Sequence, residues 1–470
     1  MRHVQSFVVI IGFSLLCHWA AGAEAATPRR PNIVLILADD LGYGDLSGYG
    51  ARDMRTPHID SLADRGMRFD YFYANSTVCS PSRAALLSGR YPELVGVPGV
   101  IRTHVDDNWG YLSPGAILLP AVLKQAGYHT ALVGKWHLGL ESPNTPNEKG
   151  FDLFHGFLGD MMESYTTHRR DGFNFMRLNG ETIDPPGHAT DIFTGWAIDY
   201  IHERAPSARE GKQPFFLYLA YNAPHVPIQP PQEWLDRVKQ REPGIDEKRA
   251  KIVALIEHLD DGVGKVVAAL KESGLEDNTL VIFTSDNGGE LLAGARNGDL
   301  RGGKGSMYEG GLRVPMCAVW PGHIAPRSQN HHAALHMDLM PTACEAAGAA
   351  LPPNLDGVSL IPTLTDPSQA TSLDTRPIFF LRREGGLAYN GLTIHAVRQG
   401  DWKLIHNLPF KGMELYNLKT DPLEAEDRAI KEKKIRDRLA YLIQCQVQRG
   451  GAVPWQRPGM ALPATTPAQK

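Results

Sequence analysis

The sequence predicts an α/β protein: a large, mixed but mostly parallel sheet sandwiched by helices, followed by a smaller C-terminal antiparallel sheet plus a helix. Three observations carry this expectation. The apolar runs Pro31-Asn32-Ile33-Val34-Leu35-Ile36-Leu37-Ala38, Pro214-Phe215-Phe216-Leu217-Tyr218-Leu219-Ala220 and Thr279-Leu280-Val281-Ile282-Phe283-Thr284 lack polar alternation, as strands buried on both faces do. Helix-patterned segments separate these runs, and each run delivers polar residues at its C-terminal end, where open α/β sheets hold ligands. From about residue 376 the texture changes to short strands joined by turns.

The first element is not part of the fold. Met1-Arg2-His3 is basic, Phe7 to Leu16 is apolar, and Ala21-Gly22-Ala23 and Ala23-Glu24-Ala25 both fit an A-x-A cleavage site. This reads as a signal peptide over 1–25, the alternative being an uncleaved anchor; Leu16 before Cys17 is not the small residue a lipoprotein site wants. An exported protein, periplasmic, secreted or within a secretory pathway, follows. No other stretch is long and apolar enough to span a membrane. Removal of Cys17 leaves Cys79, Cys317, Cys344 and Cys445, too sparse for a disulfide-built scaffold. With 43% hydrophobic and 21% charged residues among 470, the core is ample. A net charge of −4 without a basic tract argues against nucleic acid as partner.

Strand 32–38 ends in Asp39-Asp40. Adjacent carboxylates at a sheet edge repel unless a cation holds them, and hard oxygen donors favour Ca²⁺ or Mg²⁺; the alternative is a solvated turn before Gly42. Thr56-Pro57 opens a helix as N-cap and first residue. Phe69, Tyr71 and Tyr73 alternate as one short strand. Residues 92–113 form a loop containing His104, Asp106 and Asp107. Leu118 to Ala126 is a helix, and Tyr128 to Val133 a strand that delivers Gly134-Lys135-Trp136-His137-Leu138-Gly139. Lys135 and His137, two apart, project to one side of an extended segment and suit an anion. Residues 141–190 read as loop-rich insertions that shape specificity. Helix 191–203 leads to strand 215–220, after which Pro224 and Pro227 bracket His225. Asp246 to Ser273 is the clearest helix, with His258 an ordinary member. Strand 279–284 delivers Asp286-Asn287, again oxygen donors, and a glycine-rich loop carries Lys304. Pro315 to Trp320 is a further strand and Asp338 to Ala347 a short helix. The domains expected are 26–375 (catalytic), 376–450 (four short strands and a charged helix at 424–447) and a mobile tail at 451–470.

The stretch Thr77-Val78-Cys79-Ser80-Pro81-Ser82-Arg83 runs straight into an apolar helix. Pro81 suits a first helical turn. Cys79 then sits at the positive end of that helix, where backbone N–H groups favour an anion, and Arg83 returns to the same face one turn on. The segment taken alone reads equally as a cysteine packed beneath a helix.

The C-x-P-x-R pattern together with Asp39-Asp40, Lys135/His137, His225, Asp286-Asn287 and Lys304 resembles the type I sulfatases of the alkaline phosphatase superfamily. The resemblance extends from Pro31 to Leu415-Tyr416-Asn417-Leu418-Lys419-Thr420-Asp421-Pro422, and C-S-P-S-R and G-K-W-H-L-G match without substitution. It implies oxidation of Cys79 to Cα-formylglycine by a maturing enzyme, with the hydrated aldehyde as nucleophile. It implies Ca²⁺ held by Asp39, Asp40, Asp286, Asn287 and an oxygen of modified Cys79. Arg83 and His137 are implied as catalytic, with Arg83 stabilising the hydrate and His137 assisting breakdown of the sulfated intermediate; Lys135, His225 and Lys304 hold sulfate oxygens. The substrate implied is a sulfate monoester, and general likeness to polysaccharide and hexosamine sulfatases favours a sulfated carbohydrate. The alternatives are a phosphodiesterase or phosphonate hydrolase of the same superfamily and a catalytically silent binder of sulfated polymers; a zinc hydrolase fits the oxygen-rich set less well. Loops 92–113, 141–190 and 291–301 are expected to decide specificity, with His104, Arg169, Arg170, Arg296 and Arg301 either substrate contacts or surface charge.

Overall fold

The computed structural model describes residues 29–104, 108–369, 373, 375–384, 392–407 and 410–456. The expected signal peptide, Asp106 and Asp107, and the tail beyond residue 456 lie outside the described residues. Among the described residues no helix is long and apolar enough to cross a membrane.

The elements follow in chain order. β1 (Asn32–Ala38), α1 (Pro57–Arg65), β2 (Met67–Phe69), β3 (Phe72–Tyr73), α2 (Cys79–Ser88), α3 (Leu119–Gln125), β4 (His129–Lys135) and β5 (Leu153–Phe157) come first. Next are β6 (Arg169–Arg170), β7 (Phe173–Asn174), β8 (Met176–Leu178), β9 (Glu181–Thr182), α4 (Ala189–Arg209), β10 (Phe215–Ala220), α5 (Gln232–Arg241), α6 (Glu247–Glu272) and β11 (Thr279–Ser285). Then come α7 (Glu309–Leu312), β12 (Met316–Val319), β13 (Ser328–Asn330), β14 (Ala334–Leu335), α8 (Leu339–Ala347) and α9 (Ile361–Thr365). β15 (Ile378–Arg383), β16 (Thr393–Gln399), β17 (Trp402–His406), β18 (Glu414–Asn417) and α10 (Lys433–Gly451) close the described chain.

Among the described residues, ten strands form one sheet in the order β13-β2-β12-β11-β1-β10-β4-β5-β8-β9. Its centre, β11-β1-β10-β4-β5, is parallel throughout, and antiparallel pairs flank it on both sides. The absence of polar alternation in β1 follows from this position. Ile33, Leu35 and Leu37 enter the core shared with α2, α3 and α8, while Val34, Ile36 and Ala38 enter the core shared with α4 and α6. A period of two thus feeds two apolar layers, and every residue of the run is buried. β15 to β18 form a separate antiparallel sheet in sequence order. One face packs against Tyr73, Ala85 and Leu312 of the larger body and the other against Leu439 and Ile443 of α10. Lys403 of β17, fully buried, lies between Glu309 of α7 (2.8 Å) and Glu424 (2.9 Å) and ties the small sheet to α7 of the larger body.

Several local expectations change. The single strand through Phe69, Tyr71 and Tyr73 is two, β2 in the large sheet and β3 paired to β14, because the chain turns between them. The 141–190 stretch contains β5, a member of the large sheet, together with β6 to β9. α4 runs from residue 189 to 209 rather than 191–203. The C-terminal helix begins at Lys433, not 424: Glu424 adopts φ 55°, and Asp427 Oδ1 accepts from the N–H groups of Leu415 and Ala429, so this segment is held to β18 instead. Thr56 occupies the N-cap of α1, but its hydroxyl bonds Ser47 and Asp60; the first-turn N–H groups of His58 and Ile59 are capped by Asp260 of α6 at 3.2 and 2.8 Å. His258 is no ordinary helix residue: it is buried, with Nε2 2.8 Å from Asp191 Oδ1. Near the described C-terminal end, Trp455 stacks on Trp109 with ring centroids 4.8 Å apart.

Candidate active site

Sheet register assembles the site. Ala38 lies opposite Ser285, Leu37 opposite Ala220, and Ala220 opposite Gly134, so β1, β11, β10 and β4 end along one line. The residues just past that line are Asp39-Asp40, Asp286-Asn287, Tyr221-Asn222 and Lys135. Gly134 makes the approach possible: it adopts φ 106°, and a Cβ there would lie 2.0 Å from Ala220 O. α2 points its N-terminus at the same edge with all ten residues buried. Asp40 and His137, at φ 67° and 61°, hold left-handed backbone that non-glycine residues seldom adopt, as strained functional sites do.

Cys79 Sγ lies 3.3 Å from Asp39 Oδ1. Arg83 donates to Asp286 Oδ2 through Nε (3.1 Å) and Nη2 (2.9 Å), and through Nη1 to Lys135 O (3.1 Å). Lys135 Nζ donates to Asp39 Oδ2 at 2.6 Å. Lys304 Nζ donates to Asp40 Oδ2 at 2.7 Å and lies 3.2 Å from His225 Nε2. Asn287 Nδ2 donates to Asp40 Oδ1 at 2.8 Å, and the Asp40 N–H to Asp286 Oδ1 at 3.1 Å. His137 Nε2 lies 2.7 Å from Ile101 O, whose own N–H donates to Ser80 Oγ. Nine of the ten residues singled out from the sequence are thus directly linked, and His137 stands beside them, close enough to feel the charges of Lys135, Arg83 and Asp39.

Electrostatics follow from this burial. Burial works to raise Asp39, but Lys135, His225, Arg83 and Lys304 outweigh it and hold its carboxyl well below the usual range. Burial and the neighbouring Asp39 charge push Asp286 up to about 7. Burial and Asp39 push the Cys79 thiol well above its ordinary range, so the sulfur stays protonated. Burial, Lys135 and Arg83 hold His137 well below the usual imidazole value, and burial and Lys304 lower His225. Both imidazoles are neutral at pH 7. Counted by formal charge alone, Asp39, Asp40 and Asp286 match Arg83, Lys135 and Lys304 in number.

The residues fit a hard divalent cation. Three carboxylates converge with Asn287, whose Oδ1 is buried and accepts no hydrogen bond from the described residues. Ligand atoms of Asp39, Asp40, Cys79 and His225 all lie within 4.8 Å of one another. A donor set dominated by oxygen favours calcium or magnesium over zinc. A dication added to the neutral set leaves net positive charge for an anion.

The residues proposed for the rim have protein partners. His104 pairs with Asp171 (2.9 Å), Arg169 with Asp184 (2.7 Å), Arg170 with Asp160 (3.1 Å) and Arg296 with Asp53 (2.9 Å). Arg301 bonds Tyr416 OH (3.0 Å) and Glu424 O (2.7 Å). Residues not foreseen also stand at the site. Ile101 orients His137 through its carbonyl, and Glu384, just past β15, is shared by Arg102 and Arg382, the latter bonding Gly305 O beside Lys304. No local sequence signal marks them, because backbone carbonyls and partners almost 300 residues apart leave no pattern.

A parallel sheet whose strand ends gather carboxylates, lysines and a cysteine in the first turn of a helix, within C-S-P-S-R, points to one enzyme class, and the chain belongs to the sulfatase family: the family model "Sulfatase" matches residues 31–349. A second model, "N-sulphoglucosamine sulphohydrolase, C-terminal", matches residues 303–448. The chain is 35% identical to N-acetylgalactosamine-6-sulfatase of Rattus norvegicus over 404 residues, 81% of this chain and 72% of that protein. It is 38% identical to arylsulfatase A of Homo sapiens over 425 residues, 83% of this chain and 77% of that protein. Among solved structures, Ps i-CgsB in complex with k-i-k-neocarrahexaose superposes with a TM-score of 0.81 at 32% identity, covering 90% of this chain and 93% of that one. The protein is a sulfatase, an enzyme that hydrolyses sulfate esters.

Proposed function

We propose that this sulfatase is exported, acts on a sulfate monoester of a carbohydrate, and works through a formylglycine hydrate made from Cys79 by a separate maturing enzyme. The observation that carries the reading is the state of Cys79. Its sulfur is buried and donates to Asp39 Oδ1 at 3.3 Å, and that burial and carboxylate disfavour a thiolate, yet it occupies the N-terminus of α2 near Lys135 and Lys304. A hydrate oxygen at that position would be activated by the hard cation that the neighbouring carboxylates would hold. Asp39, Asp40, Asp286 and Asn287, with an oxygen of modified Cys79, would hold calcium, which supplies positive charge to the nucleophile and the ester.

The chain's own residues do the rest. Arg83, fixed by Asp286 and Lys135 O, presents its guanidinium to the nucleophile and offsets its developing charge. Lys135 and Lys304 exchange their carboxylate partners in part for sulfate oxygens, whose charge spreads in the transition state. His225 donates Nδ1–H to Val226 O at 2.7 Å, which leaves Nε2 facing Lys304 and the anion. His137 donates Nε2–H to Ile101 O, so its buried Nδ1, without a hydrogen-bond partner among the described residues, carries the lone pair and is free to accept a proton from the group at position 79.

The names of the relatives support a sulfated sugar: one acts on N-acetylgalactosamine-6-sulfate, and another is bound to a neocarrahexaose. The division into a catalytic part at 26–375 and a C-terminal part at 376–450 is supported by the separate sheets. Peptide mass spectrometry of active enzyme should find the aldehyde or its hydrate at position 79. 4-Nitrophenyl sulfate or a sulfated sugar should be turned over, and the matching phosphate poorly. Active enzyme carrying only thiol, or phosphate turned over faster than every sulfate tested, overturns the proposal.

A further inference from the structure

Tyr165 lies in the 141–190 stretch, far from any motif, and is 1% exposed. Its hydroxyl sits 2.8 Å from Asn222 O and 2.8 Å from His225 O, so its one proton is shared between two carbonyls of the turn that carries His225. That turn is also bonded inward: the Asp39 N–H donates to Ala223 O at 3.0 Å, and the His225 N–H to Asn222 O at 2.9 Å. The turn is therefore held between the end of β1 on one side and one phenol on the other.

The phenol is itself held. Its ring stacks on His188 with centroids 4.9 Å apart and planes 22° from parallel. Its backbone N–H donates to Gln229 Oε1 (3.0 Å), and its carbonyl accepts from Ala189 at the start of α4 (2.8 Å). His188 uses both ring nitrogens, donating Nε2–H to Gln229 O and accepting at Nδ1 from the Thr190 N–H. Because α4 and the Gln229 segment fix the ring, the hydroxyl has one place to be.

We propose that Tyr165 is a positioning residue for sulfate binding: its hydroxyl sets where His225 Nε2 stands relative to Lys304, 3.2 Å away. The inference rests on the assignment of His225 to the sulfate oxygens. The alternative, that Tyr165 only fills core, predicts a different kinetic pattern. Loss of a core contact lowers the fraction of folded enzyme and so kcat, whereas a displaced His225 weakens the grip on the anion in every molecule.

The test uses mature, calcium-loaded enzyme and Tyr165→Phe, which keeps the ring and its stacking on His188. KM for a sulfate ester and the inhibition constant of inorganic sulfate should both rise about tenfold, the equivalent of about 1.4 kcal/mol, with kcat changed less. A fall in kcat alone with both constants unmoved, or no change at all, overturns the inference while leaving sulfatase function intact. Absence of sulfate-ester turnover by the unsubstituted enzyme overturns the functional reading instead. Should Tyr165→Phe not fold, Gln229→Ala removes the acceptor of the Tyr165 N–H and keeps the hydroxyl. Both constants should then rise about threefold, a smaller share of one hydrogen bond, and unmoved constants overturn the inference.

Discussion

Cys79 and Arg83 share one helix and one carboxylate cluster, but substitution should separate them. Cys79→Ala removes the proposed nucleophile and one weak sulfur contact, so turnover should vanish while urea unfolding stays close to that of the parent. Arg83→Ala strips Asp286 of both its guanidinium bonds in a site with no solvent access, and breaking a buried pair of this kind costs about 3–5 kcal/mol. Equal stability of the two variants would contradict the geometry. His336 tests burial differently. It packs edge-on to Phe72 at 5.5 Å, is fully buried, and burial lowers its pKa to about 3. The folded value lies below the unfolded one, so the neutral ring favours the fold above pH 6.5 and that advantage is lost as the pH falls toward the folded value. Between pH 7 and 5 the parent should lose about 2 kcal/mol relative to His336→Phe, from about 1.4 kcal/mol per pH unit. A stability gap independent of pH would show that the ring is not held neutral.

Elements here depend on partners distant in sequence. α1 carries Thr56 and Pro57 in the order that starts a helix, yet the cap comes from Asp260 on α6. Asp260→Ala should therefore destabilise by about 1–2 kcal/mol, and Thr56→Val should owe its cost to Ser47 and Asp60 rather than to helix capping. Chemical denaturation of Asp260→Ala, Thr56→Val and the double variant checks this, since additive effects would mark the Asp260 cap and the Thr56 hydroxyl as independent. In the same way, Lys403 of β17 meets Glu309 of α7, so the small sheet is joined to the larger body by a buried ion pair as well as by the packing of Ile378 and Phe380 with Tyr73 of β3.

At the scale of the molecule, the cation proposed for the site would join β1 to β11 and to the N-terminus of α2, three elements from separate parts of the chain. Calcium bound at a hundred times its dissociation constant stabilises the native state by about 2.7 kcal/mol. Chelation by EGTA should lower the melting temperature and abolish activity, and added Ca²⁺ should restore both. Restoration by Zn²⁺ alone would rule out the oxygen-donor site.

The α/β class and the central parallel strands were legible in the sequence, and so were the polar residues that the fold gathers at the strand ends, for a physical reason. A strand buried on both faces needs an unbroken apolar run, and the chemistry of a parallel sheet sits where such runs end, so Asp39, Lys135, His225 and Asp286 each announce themselves locally. The C-S-P-S-R segment does so by combining a helix start with a cysteine and an arginine one turn apart. What the sequence left undecided depends on contacts between distant segments: the capping of α1 by Asp260, the split of β2 from β3, the place of β5 in the large sheet, and the pairing of His258 with Asp191. The holding of the His225 turn by Tyr165 belongs with them. A hydrogen bond from a phenol to a carbonyl sixty residues away imposes no periodicity on either segment, and only the folded chain brings the two to 2.8 Å.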